Sequence, residues 1–277
     1  MKHAGKEIAQ DNKSIRGELT EQAKLTPEFG EAARNKAKRI AIRQEIATLI
    51  YKPITNLLGI SNKYFDSEFD NDMATKLASI PEEHIVAPKP SLAAPAMQQL
   101  GFSLDEPNLR ELYLNLLATA SDKRIKDSVH PSFVEVIKQL SSDELKLLED
   151  VITTPGNAKA IVQFKYVTEG EDGWRPAQTH VVEATPVWAS AIASGYVPTY
   201  VDNWVRLGLA TVSYTNFVLE PNAYDWVDAS DVKEALTRAQ ANNPSLTLDF
   251  DKGHIRPTDF AKSFGAAVGI LSPPAKA

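Results

Sequence analysis

Between residues 82 and 151 the chain alternates prolines with leucines at helical spacing, and this stretch limits the possible folds more than any other. Asp105-Glu106-Pro107 is a helix start, because proline at the first helical position gives up only an N–H that has no partner there. Behind it, Leu109 is followed by Leu112, Tyr113, Leu116, Leu117 and Ala120 at offsets of 3, 4, 7, 8 and 11, a single apolar stripe. Glu111, Asn115 and Asp122 fall on the opposite face, where they meet solvent or a partner. His130-Pro131 opens a further helix with Phe133, Val134, Ile137 and Leu140 turned inward. Ser141 and Glu144 have the spacing of a capping box for the next helix, which points Leu145, Leu148 and Val151 at the core. Upstream, Pro81, Pro88, Pro90 and Pro95 predict a stiff extended connector carrying a short helix over 92–100.

The flanking segments read differently. Residues 1–25 are polar and mixed in charge, and predict a frayed helix or disordered arm. Thr26-Pro27 starts a helix that carries Arg34, Lys36, Lys38, Arg39 and Arg43, then Ile42, Ile46, Leu49 and Ile50. Pro53 is expected to break or kink it. The basic segment is either a solvated face or a surface for anionic lipid or nucleic acid. A short helix is expected near 73–78. Past Thr154-Pro155-Gly156-Asn157, a turn, residues 158–167 and 179–184 have the composition of strands, with a hairpin loop over 170–176. Residues 200–207 predict a helix with Val201, Trp204 and Val205 on one side, ended by Gly208 and followed by a strand. Near the end an isoleucine-bearing strand precedes a helix that Thr258 can cap, lined by Phe260, Phe264 and Val268.

A chain of 277 residues can hold one large or two modest domains. A net charge of -6 argues against broad attraction to nucleic acid, which needs clustered Lys and Arg. The absence of cysteine excludes disulfides, thiolate nucleophiles and Cys-based zinc sites. No run of roughly 20 apolar residues exists, and residues 1–22 have no apolar core of the secretory kind. A cytoplasmic location, peripheral to the inner membrane at most, is the expectation. Phosphate-cradling glycine loops, the G-x-S-x-G elbow and H-E-x-x-H are all missing. The histidines His3, His84, His130, His180 and His254 are scattered, so no metal or cofactor is assigned. His130 reads as a general base or partner contact, or as a capping imidazole at a helix start. Asp249 and Asp251 alternate on a strand and could hold a divalent cation, or form an acidic loop before a Lys252-Gly253 turn. Trp204 reads as core, and Trp174, beside Arg175 in the hairpin loop, as an interface anchor or a cover for a small local core.

Three phrases carry a family resemblance: HIVAPKPSLAAPAMQQL, EPNLRELYLNLLATASD and HPSFVEVIKQLSSDE are similar to the bacterial abortive-infection alpha proteins. The resemblance implies a role in antiviral defence against phage and no molecular mechanism. VRLGLATV and HIRPTDFAKSF resemble the third helix and the wing return of a winged-helix unit, with 155–198 inserted between its second and third helices. The expected fold is α+β, mostly α-helical. The expected parts are an N-terminal helical region (1–80), a connector with amphipathic helices (81–128), a winged-helix-like domain (129–271) and a disordered tail (272–277).

The leading functional expectation is a non-enzymatic defence component working through protein contacts, with Glu111, Asn115, Asp122, His130 and Trp174 at the partner surface. One rival is a nucleic-acid-binding regulator reading through residues 200–207, whose one cation is Arg206. Another is a membrane-associated effector docking through Arg34, Lys36, Lys38, Arg39 and Arg43. The sequence offers no catalytic constellation.

Overall fold

The structure, a computed structural model, describes residues 27–58, 63–168, 170, 173–241 and 243–272, with side chains over 35–56 in the first of these. The expected arm over 1–25 and nearly all of the expected tail lie outside the described residues. The fold is α+β and mostly helical, and the chain divides into two units, Met1–Pro90 and Ser91–Ala277.

In the first unit, α1 (Pro27–Leu58) packs against α3 (Phe69–Lys76), with the short α2 (Lys63–Ser67) between them in sequence. Its centre is aromatic: Tyr51 meets Phe69 edge-on at 5.3 Å, and Phe65 lies 5.1 Å from Phe69. α3 starts four residues earlier than the sequence suggests, because Phe69 is needed in that cluster. Helix α1 does not stop at Pro53 but runs through it to Leu58. Pro53 is exposed, so the carbonyl it leaves without an intrahelical partner can be hydrated. The basic segment is not one face either. Lys36, Lys38 and Arg39 are exposed, whereas Arg43 is buried and its guanidinium donates to the carbonyls of Leu77 and Ile80. Those carbonyls end the turn after α3, so Arg43 holds the unit together and is withdrawn from any lipid or nucleic-acid surface.

The second unit opens with α4 (Pro90–Phe102), in which Pro90 and Pro95 are helical instead of part of an extended connector. α5 (Pro107–Ala120) buries the whole predicted stripe and Leu114 and Ala118 besides. α6 (Ser132–Lys138) and α7 (Ser142–Ile152) follow with the expected inward residues, and the capping box is present: the Glu144 N–H donates to Ser141 Oγ at 3.3 Å and the Ser141 N–H to Glu144 Oε1 at 2.7 Å.

Strands β1 (Lys159–Thr168) and β2 (Trp174–Val182) form the predicted hairpin. β2 begins at Trp174, so Trp174 and Pro176 lie in the edge strand and not in the loop. After α8 (Ala189–Ser194), α9 (Val197–Arg206) starts three residues earlier than expected and leaves Val205 exposed. β3 (Ala210–Ser213), α10 (Asp231–Gln240), β4 (Leu246–Pro257) and α11 (Asp259–Val268) complete the unit. Thr258 caps α11 as expected, accepting from the Ala261 N–H at 3.0 Å.

The sheet is antiparallel throughout, in the order β2-β1-β4-β3. Side chains alternate across it, so Val162 and Phe164 face Val181, Tyr224 and Val227, and α10 covers that cluster with Val232 and Leu236. Asp249 and Asp251 do share the other face, but β4 runs straight through them and no loop or Lys252-Gly253 turn forms. Their counter-ion is Lys165 on β1, at 2.5 Å from Asp251 and 3.5 Å from Asp249. The hydrogen bond to Asp251 holds the ammonium above its ordinary pKa. The described residues contain no cluster able to hold a metal ion, and no helix among them is long and apolar enough to cross a membrane.

Candidate functional site

The second unit carries an open groove of about 1080 Å³. Helix α7 and its C-cap contribute Asp143, Lys146, Glu149 and Thr153; Pro186 and Val187 come from the approach to α8 and Ser190 from α8 itself. Tyr196 and Tyr200, and Gly269 and Ile270 beyond α11, complete the lining.

The walls are held by two tryptophans. Trp188 and Trp204 are fully buried and meet edge-on, centroids 6.1 Å apart. A buried indole N–H needs an acceptor. Trp188 Nε1 donates to Asp150 at 2.7 Å and Trp204 Nε1 to Glu144 at 3.0 Å, both carboxyls belonging to α7. α8 and α9 are thereby tied to α7 by polar pins within an apolar contact. Lys159 adds an ion pair to Asp150 at 2.9 Å. Gly195 sits at φ +73°, a conformation that suits glycine, and permits the tight turn from α8 into α9. Tyr196 and Tyr200, one helical turn apart, then stack at 5.9 Å with planes 25° apart.

The groove is electronegative. Burial holds the Glu149 carboxyl above its ordinary pKa, partly opposed by Lys146. The Tyr200 phenol is also raised, first by burial and then by the nearby carboxylates of Asp143 and Glu144. Val187 and Tyr196 are about half exposed at its rim.

The residues singled out in the sequence are spread among different environments. Glu111 is exposed and lines a smaller cavity beside the groove. Asn115 donates to the Val268 carbonyl at 2.9 Å, and Thr119 to that of Ala267, so this face of α5 caps the end of α11. Asp122 is buried, with Arg124 forked onto both its oxygens, and is not on a surface face at all. His130 is exposed; its Nδ1 takes the Ser132 N–H at 3.2 Å and lies 2.6 Å from Ser132 Oγ, the geometry of an imidazole anchoring a helix start. Trp174 is half exposed above the Lys165 ammonium, 5.9 Å from ring centre to nitrogen. Arg206 is exposed and tethered to Gln139 and Asn203. The side chain of Arg34 lies outside the described residues.

A second polar cluster was not apparent in the sequence. The register of β2 shifts past Gln178, and His180 stands at φ +55° in the irregularity. Such a bulge re-aims its side chain. His180 stacks on Tyr214, with Nδ1 at 2.8 Å from the phenol oxygen and Nε2 at 3.2 Å from Asp202. The phenol also accepts the His180 N–H at 3.0 Å. Burial is the main cause that lifts it to about 12, so this hydroxyl is a poor nucleophile. The chain of contacts joins β2, the segment after β3, and α9, and its evident work is to fasten them.

The groove residues Asp143, Lys146, Glu149, Val187, Tyr196 and Tyr200 escaped sequence reading, since each is ordinary alone. The one available signal was the tyrosine pair at i and i+4 beside a glycine.

The family model of the abortive infection alpha proteins matches residues 61–268. No curated protein matches the chain. A solved structure of an uncharacterized protein from the hydrocarbon-degrading marine bacterium Alcanivorax borkumensis SK2 is similar at 14% identity, over 50% of this chain and 92% of that one, with a TM-score of 0.29.

Proposed function

This chain belongs to the abortive infection alpha family, and from that premise we propose that it acts as a non-enzymatic defence component that docks a partner protein in the groove of its second unit. An abortive-infection-related role follows from the family. The contact mechanism is our reading, and one observation carries it: a groove of about 1080 Å³ whose rim exposes Val187 and Tyr196. Exposed aromatic and aliphatic side chains bordered by charge mark interaction surfaces more than catalytic ones.

The winged-helix reading fits the same use. α6, α7, α9, β3 and β4 supply three helices and two strands in that order. The exposed residues of α9 include Thr199, Asp202, Val205 and Arg206, one anion beside one cation. That composition favours a protein surface over phosphates.

The test uses two separate proteins, one with a photo-crosslinking amino acid at Val187 and one a Val187→Lys, Tyr196→Ala variant. We expect a discrete adduct during phage challenge, and the variant to lose protection in a plaque assay at unchanged melting temperature. Full protection by the folded variant would refute the reading.

A second reading rests on Lys36, Lys38 and Arg39, exposed in succession on α1. Three such cations near an anionic membrane are worth about 3 kcal/mol. In flotation with phosphatidylserine vesicles, their replacement by Gln is expected to abolish any binding. Equal flotation of both proteins would eliminate this site.

A further inference from the structure

We propose that the segment seated in the groove is cationic and extended, with arginine its preferred anchor; this rests on the groove being the docking site. The lining carries three carboxylates and one ammonium. Asp150 already has Lys159 and the Trp188 N–H. Among the described residues, Asp143 and Glu149 have no such ion pair. An anionic ligand would add repulsion to desolvation here, whereas a cation supplies the missing partner.

Aromatic placement narrows the choice further. The stacked Tyr196 and Tyr200 line the groove together with Asp143, whose charge reaches the Tyr200 phenol. A guanidinium stacks on aromatic faces while its N–H fork engages carboxylates, which an ammonium does less well. Partial burial of Glu149 sharpens the attraction, because its carboxylate has lost water that a donor can replace. Pro186, Val187 and Ile270 offer apolar contact to the residues flanking the cation. At about 1080 Å³ the groove is at the upper end of small-molecule pockets, room enough for a stretch of peptide.

The experiment is fluorescence anisotropy on the full chain with two labelled hexapeptides, one alternating Arg with Val and one alternating Glu with Val. The Arg peptide is expected to bind and the Glu peptide not. Asp143→Asn with Glu149→Gln should weaken binding about tenfold, as expected from losing two partly exposed ion pairs. The same chemistry at Asp225 and Asp231, exposed outside the groove, should leave affinity unchanged. Equal binding of the two peptides, undiminished binding by the groove variant, or an equal loss from the control variant overturns the proposal. Crosslinking through position 187 and loss of defence in the Val187→Lys, Tyr196→Ala protein, with no Arg-peptide binding by the parent, would leave the docking site standing and remove only its charge preference.

Discussion

Replacement of Glu144 by alanine is expected to lower unfolding stability by about 4 kcal/mol, since it breaks a buried polar hub and leaves its partners unpaired. The side chain is 3% exposed. It closes the capping box on Ser141, accepts the indole N–H of Trp204 at 3.0 Å, and stands within 3.3 Å of the Asn203 amide. Loss of the box alone costs about 1 kcal/mol. The larger part comes from a fully buried Trp204 N–H left with no acceptor, plus the vacated volume. A fall in melting temperature of roughly 10 °C follows for a unit of this size. Glu144→Gln keeps the shape and one acceptor oxygen and should lose less than half as much. Calorimetry decides: an alanine variant melting within a degree or two of the parent would mean that α7 and α9 are held by apolar packing alone.

Gly253→Ala is expected to cost about 3 kcal/mol, at the upper end for overpacking. A Cβ at this position of β4 would overlap the carbonyl oxygen of Ser213 and the ring of Tyr214. The ring could swing away, but the carbonyl belongs to the backbone that leaves β3. Tyr214→Ala should therefore not rescue the variant. Displacing the ring also exposes the phenol. In the native protein the phenol is raised to about 12, against about 10 when unfolded. Its contribution to stability is thus complete below pH 10 and is lost as pH climbs through 12. The variant should ionise nearer pH 10 in an ultraviolet titration. An unchanged titration and melting point would show that strand β4 has slack at this point.

The sequence was most legible where one local rule decided the outcome. The stripe from Leu109 to Ala120, the Ser141–Glu144 box and the Thr258 cap all depend on residues within one or two turns, and all are present. It misled where distant chain supplied the answer. Arg43 looked like one more surface cation, but carbonyls of Leu77 and Ile80 claim it from more than thirty residues away. Asp122 shared a nominal polar face with Glu111, yet lies past the end of α5, where Arg124 folds back over it. At Asp249 and Asp251 the sequence leaves strand and acidic loop both open, because their partner, Lys165, is on another strand. The groove was illegible for the same reason. Its walls come from four stretches of chain, two of them joined by Trp188 and Trp204 reaching carboxyls on α7.

The central position of β4 dictates when this unit can be made. β1 needs residues 246–255 as its neighbour, and β3 has no other partner in the sheet. While a ribosome is still translating that stretch, the edge of β1 that β4 will cover is bare and β3 is unpaired. Closure therefore waits until β4 has left the ribosome, and until then a sticky nascent intermediate is left for chaperones to shield.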